Sequence, residues 1–311
     1  MTADPRVLVI VAGQMRGGPL AWRSLNLHLI RPNQADLAII GPGLQPQHQR
    51  LLNVKYVWNV TDYKDWGQYF ENHRDFSSSS AVGWRDAFCG ARSQQRLKYD
   101  KWSQFAFLSG VKSCNHGPGS GGILLAYRHM LYTRLQSDNL LTKYDWFIFT
   151  RSDYLYLCPP PRPTQLDNTM IHLPRGEGWG GYTDRFAIIP TRLALTYFNL
   201  TNDVFLDWPY WASLMEDDTF KGNIEAVLKR YFERRDTPIS LFIHSGFIVK
   251  LPSDPTKFRA NEKNWKSDHQ ELGRHRLTLK YVDEVKEAEL ACSPWNGFRK
   301  WAANLSIQAS T

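Results

Sequence analysis

The stretch at residues 144–161, YDWFIFTRSDYLYLCPPP, limits the fold more than any other part of the chain. Its run at 146–150 is aromatic and β-branched with no polar alternation. That is the pattern of a strand buried on both faces, and such strands belong to sheets covered by helices on either side. The strand delivers Arg151, Ser152 and Asp153 at its C-terminal end, where open α/β sheets take their ligands. A carboxylate there is a site candidate, although the same residues also read as a plain turn in which Asp153 caps the backbone and pairs with Arg151.

The segments around it supply a parallel sheet. Residues 6–12 (RVLVIVA) form a short apolar run ending in GQMRGGP, then a helical stretch at about 20–30 and a second strand at 36–40 closed by GPG. Strand, Gly-rich turn, helix and strand make a βαβ unit with a right-handed crossover. The loop after its first strand faces the ligand crevice, so Gly13, Arg16 and the neighbouring glycines either meet a phosphate or form a simple tight turn. GQMRGG is not GxGxxG, and there is no Walker A sequence, which weakens the dinucleotide and P-loop classes.

Residues 53–75 are polar and aromatic and read as a long excursion, ending at the SSSS of 77–80. A helix is expected at about 91–108. NHGPGSGG at 115–122 opens a further helix in which Leu124, Tyr127, Leu131 and Leu135 recur at helical spacing, with Ser120 as a candidate cap. Later elements are a strand at 170–174, a Gly-rich loop RGEGWGGYTDRF, a strand at 185–189, an amphipathic helix NIEAVLKRYFERR and a last strand at 239–249 holding His244. The final fifth is polar, with Trp265, Trp295 and Trp301, and shows no clear element. The expected organisation is one unit over residues 1–250, divided near 158, with residues 251–311 packed on it.

Composition narrows the partners. A net charge of +8 with no block of five or six consecutive basic residues favours an anionic ligand, and no nucleic-acid motif is present. The 12 Trp and 14 Tyr suit flat ligand faces or simply fill the core. Cys89, Cys114, Cys158 and Cys292 are too far apart for a zinc module and too few for a disulfide scaffold, and they read as free thiols of a reducing compartment. With no signal-like N-terminus and no run long enough to span a bilayer, the expectation is a soluble, cytoplasmic protein whose three Asn-x-Ser/Thr matches arise by chance.

GQMR after the first strand, a helix leading into YDWFIFTRSDYLYL, a Gly-rich segment with TDRF, and a helix opening NIEAVL together resemble nucleotide-sugar glycosyltransferases of the GT-A fold, over roughly residues 6–250. The chain is most similar to small transferases of lipopolysaccharide, capsule or algal-virus capsid glycans in which Arg-x-Asp replaces the usual Asp-x-Asp. The resemblance implies a Rossmann-like, mainly parallel central sheet flanked by helices, with an irregular C-terminal extension. It further implies a hexosyl- or pentosyltransferase that takes a nucleotide sugar, a UDP-sugar first, and a hydroxyl of a glycan acceptor.

On that resemblance Gly13, Arg16, Arg128, Arg151, Ser152 and Asp153 would meet the donor, and Asp153 with His244 would hold Mn²⁺ or Mg²⁺. Arg151, standing where the first aspartate usually is, leaves two choices. The ion finds another ligand, or the guanidinium itself neutralises phosphate. For an inverting transfer the base for the acceptor hydroxyl is Asp184 first, with Asp217, Asp218 and Glu225 behind it, whereas a retaining enzyme would need no such base; the EDD of 216–218 is a rival metal site. Two other classes remain: a carbohydrate-binding protein without turnover, and a protein acting on nucleic acid.

Overall fold

The computed structural model describes residues 4–43, 52–73, 76, 83–89, 106–112, 120–176, 178–215, 217, 219–220, 222–250, 269–272 and 275–294. Its strands are β1 (Val7–Ala12), β2 (Asp36–Gly41), β3 (Tyr56–Asn59), β4 (Trp146–Arg151), β5 (Tyr154–Tyr156), β6 (Ile171–Pro174), β7 (Ala187–Pro190), β8 (Ile239–Phe242), β9 (Gly246–Lys250), β10 (His269–Leu272) and β11 (His275–Leu279). The helices are α1 (Gly18–Leu25), α2 (Gly67–Asn72), α3 (Trp84–Cys89), α4 (Gly121–Ser137), α5 (Leu140–Lys143), α6 (Thr191–Phe198), α7 (Leu200–Leu206), α8 (Trp208–Leu214), α9 (Ile224–Arg234) and α10 (Val282–Cys292).

The main sheet runs β3-β2-β1-β4-β7-β6-β8. It is mainly parallel: β1 pairs in parallel with β2 and β4, β2 with β3 and β6 with β8, while β7 runs antiparallel to both neighbours. Alternation along β1 explains its two covered faces. Leu8 and Ile10 pack with Phe147, Phe149, Tyr127, Leu131 and Leu135 on one side, and Val7, Val9 and Val11 with Ile148, Leu25 and Phe186 on the other. The chain is thus an α/β protein with helices on a mainly parallel sheet, as the buried run at 146–150 predicts.

Several boundaries differ from the sequence reading. The polar stretch at 53–75 is not one long excursion. It supplies the edge strand β3 and helix α2, whose Phe70 is buried in the core. The apolar run at 239–249 is two strands in different sheets: β8 ends the main sheet, and β9 lies in a four-stranded sheet of order β10-β11-β9-β5. His244 therefore occupies the connection between strands. The C-terminal extension is not irregular among the described residues, since it contributes β10, β11 and α10. Of the helix expected at 91–108, only a 3₁₀ turn at Ala106–Leu108 falls among the described residues. Most of the Gly-rich segment at 115–122, the SSSS run and the three late tryptophans lie outside them. Ser120 occupies the N-cap position of α4 but makes no side-chain cap bond.

The cysteines are corrected outright. Cys158 and Cys292 form a disulfide with their Cα atoms 5.7 Å apart, across a sequence separation of 134. Cys89 is also disulfide-bonded, and no described cysteine is free. The free-thiol argument for a reducing compartment falls with it, because such bonds persist in oxidising surroundings. Among the described residues, no helix is long and apolar enough to cross a membrane.

Candidate active site

The RSD motif sits where the chain changes sheets. Arg151 ends β4 in the main sheet, Tyr154 begins β5 in the second, and Ser152 and Asp153 form the turn between them. Parallel pairing brings the C-terminal ends of β1, β2 and β4 to the same edge, with Ala12 opposite both Ile40 and Arg151. The loop after β1 then closes onto the motif. Ser152 Oγ accepts from the Arg16 amide at 3.1 Å and donates to the Gln14 carbonyl at 2.5 Å. Gly17 allows this approach, since a Cβ there would overlap the Ser152 carbonyl oxygen and lie 2.8 Å from the Asp153 Cα.

Asp153 is 2% exposed, and Arg151 grips it with both arms of the guanidinium, Nε to Oδ1 at 2.8 Å and Nη2 to Oδ2 at 2.7 Å. Burial opposes its ionisation, but the Arg151 charge outweighs burial and holds the carboxyl below its usual range, with Lys280 and Arg16 adding to the pull. The Asp153 carbonyl accepts from the Val249 amide of β9. Beyond β9, the Lys280 amide donates to the Ile248 carbonyl, which brings the end of β11 to this edge. Burial, then the charges of Arg185 and Arg151, lowers the Lys280 ammonium to about 7.

A second acidic group stands beside the first. Phe149 pairs with Ala187, and continuing that antiparallel register sets Arg185 beside Arg151. The neighbouring Asp184 is 3% exposed, and its Oδ1 lies 3.9 Å from Arg185 Nε. Glu225, in the first turn of α9, is almost buried, and burial followed by the Asp184 charge raises its carboxyl to about 8. Asp184 and the raised carboxyl of Glu225, next to several cations, can hold and move a proton.

No protein-family model matches the chain, and no curated protein matches it in sequence. A solved structure similar to it is the apo form of mouse xyloside xylosyltransferase 1, at 10% identity and a TM-score of 0.40, covering 78% of this chain and 85% of that one. The residues therefore carry the functional reading on their own.

The structure gathers Arg16, Arg151, Ser152, Asp153, Asp184 and Glu225 at one edge, with Gly13 bonded through its amide to the Ile40 carbonyl at the base of the same loop. Arg128 is elsewhere. It is 1% exposed in the core, donating to the carbonyl and hydroxyl of Tyr197 at 3.0 and 3.1 Å and stacked 4.4 Å over that ring. His244 is ringed by Tyr154, Tyr156, Phe186 and Phe242, and burial lowers its imidazole to about 3. The pairing of Leu157 with Ser245 puts it at the far end of β5 from Asp153. Asp217 is exposed and caps its own turn through Thr219. Asp218 and Glu216 lie outside the described residues.

The cation expected at Asp153 and His244 does not fit these side chains. Both Asp153 oxygens are engaged by Arg151, the histidine does not share the place, and among the described residues no group of three or more His, Cys, Asp or Glu could hold an ion. Sequence reasoning missed Arg185, Lys280, Tyr281 and Glu284. Glu284 accepts from Arg185 Nη1 at 2.8 Å and from the Ile248 amide at 3.0 Å, and Tyr281 lies under the Arg185 guanidinium. Arg185 was visible beside Asp184 in TDRF. Lys280 and Glu284 carry no local signal, because only the second sheet brings them in.

Proposed function

We propose that this chain is a glycosyltransferase moving a sugar, hexosyl or pentosyl, from a nucleotide-sugar donor to a hydroxyl of a glycan acceptor, with a UDP-sugar as the first donor to test. The observation that carries this reading is the closure of the Gln14–Arg16 loop on Ser152 at the C-terminal edge of β1 and β4, beside several cations and three buried carboxylates, Asp153, Asp184 and Glu225. In transfer, the bond from the anomeric carbon to the diphosphate oxygen breaks and its electron pair leaves on the diphosphate. The acceptor oxygen bonds to that carbon and gives up its proton. Arg151, Arg16 and Lys280 are suited to the growing phosphate charge.

Asp184 is the first choice for the acceptor proton, since Glu225 keeps its own proton up to about pH 8. Mn²⁺ or Mg²⁺ would supply Lewis-acid charge if bound. The guanidinium on Asp153 favours the alternative in which Arg151 provides that charge, and no step above depends on an ion. The test is thermal shift of the full chain with UDP-, GDP- and dTDP-sugars, with and without Mn²⁺. A donor at 100 times its Kd is expected to add roughly 2.7 kcal/mol to stability, seen as a rise in Tm with or without metal. No shift with any donor under either condition overturns the proposal.

A further inference from the structure

One surface next to this site is not used by the reaction above. The loop that leads from β6 to β7 carries Trp179, 54% exposed, and the Trp179 backbone is in the left-handed region at φ 46°. A bulky aromatic residue adopts that conformation only where its surroundings impose it. Here they do. The Asn223 side chain that caps α9, accepting from the Ala226 amide, also donates to the Trp179 carbonyl at 3.0 Å. Two residues on, a Cβ at Gly181 would overlap the Glu225 carbonyl, and the Tyr182 amide donates to that same carbonyl at 3.1 Å. The loop is thus bolted to the start of α9 at Trp179 and again at Gly181–Tyr182, just after a tryptophan that it holds out in solvent.

The Trp179 ring faces Tyr281, 6.2 Å away, and Tyr281 lies under the Arg185 guanidinium of the site. Beside this pair of rings runs a small cleft. Gly176 and Thr183 from the two legs of the Trp179 loop line it, as do Asp283, Glu284 and Glu287 of α10, with His244 at its wall. His244 is 6% exposed, and neither ring nitrogen has a hydrogen-bond partner among the described residues. A buried polar group without a partner is costly unless a ligand or water satisfies it.

We infer that the Trp179–Tyr281 face and the cleft beside it form a saccharide subsite, in which the C–H face of a sugar ring stacks on Trp179 and its hydroxyls reach the carboxylates of α10, Thr183 and His244. Rings of this kind present an apolar body to such a face, and carboxylates accept from hydroxyls in charge-assisted bonds. The saccharide is the neutral acceptor rather than the donor, because Asp283, Glu284 and Glu287 outnumber Arg175, the cation that also lines the cleft, and repel a nucleoside diphosphate. That assignment rests on the transferase reading, but saccharide binding itself does not.

Wild type, Trp179→Ala and Trp179→Phe are compared as full chains by saturation-transfer NMR and calorimetry. The probes are neutral hexose- and pentose-containing di- and trisaccharides without donor, and in parallel a nucleotide-sugar panel. Wild type is expected to bind at least one saccharide, with affinity falling roughly tenfold in Trp179→Ala and largely kept in Trp179→Phe, while nucleotide-sugar affinity stays unchanged in both. Saccharide binding lost in Trp179→Ala, with no donor bound by wild type, would support the subsite and remove the transferase reading. Donor binding by wild type with no saccharide bound, or saccharide binding equal in wild type and Trp179→Ala, would overturn the subsite and leave the transferase reading intact. Loss of nucleotide-sugar binding in Trp179→Ala would overturn the acceptor assignment.

Discussion

Replacing Arg151 with alanine lowers the stability of the fold by roughly 3–5 kcal/mol, the usual cost of stripping one partner from a buried ion pair. The reason lies in the asymmetry of the pair. Arg151 keeps some solvent contact, but Asp153 is sealed at 2% exposure and would be left as a charge without its two-armed partner. Lys280 and Arg16 remain within electrostatic reach, which places the loss toward the lower end of that range. The double replacement Arg151→Met with Asp153→Leu removes both charges and is expected to recover most of the stability while abolishing any donor binding.

The same pair sets a pH signature. Because the folded Asp153 carboxyl is held below its usual range, its contribution is fully present above the unfolded carboxylate value near 4, and it is lost as pH falls through the folded value. Urea unfolding at pH 7 and at pH 3 checks both points. A single Arg151→Ala variant as stable as wild type at pH 7 would mean that the pair is not closed as described.

Breaking the Cys158–Cys292 bond is the second large effect. It joins positions 134 residues apart, and removing a constraint on so long a loop costs roughly 2–5 kcal/mol, a drop in Tm of the order of 3–8 °C for a chain of this size. The consequence reaches the site, because Cys292 ends α10 and α10 carries Glu284, the partner of Arg185. Releasing the helix frees Arg185 to turn from Glu284 toward Asp184. The Cys158→Ala, Cys292→Ala double variant, measured by calorimetry beside wild type with and without a reductant, should show the drop, and reduced wild type a drop at least as large, because the reductant also opens the Cys89 bond. Equal Tm values in all samples would contradict the tether.

The sheet was legible in the chain where burial alone dictates the pattern. The runs at 146–150 and 6–12 admit little except covered strands, and the amphipathic repeat of NIEAVLKRYFERR admits little except a helix on that sheet. Elements at edges were not legible. β3 is only four residues long with mixed burial inside a polar stretch, so its period is blurred, and β8 and β9 merge into one apolar run because nothing local marks that the chain changes sheets at His244. The site followed the same division. Arg151, Ser152 and Asp153 were exposed by the strand that ends on them, and Arg16 by the loop after β1.

Lys280, Glu284 and the disulfide come from 100 or more residues away through pairings that leave no mark in spacing. Arg128 misled for the opposite reason. A cation near a helix start resembles a ligand contact, but its guanidinium is taken up by the Tyr197 ring and carbonyl in the core.

The central claim is that this edge of the sheet cleaves a nucleotide sugar. The most direct measurement is release of nucleoside diphosphate from UDP-, GDP- and dTDP-sugars by the full chain, with a panel of saccharide acceptors and with Mn²⁺ and Mg²⁺ supplied, for wild type and Asp184→Asn. The account predicts acceptor-dependent release from at least one donor, falling by roughly 10²–10⁴ in Asp184→Asn while that donor still binds. No release from any donor by wild type, or equal turnover in the two proteins, would contradict it.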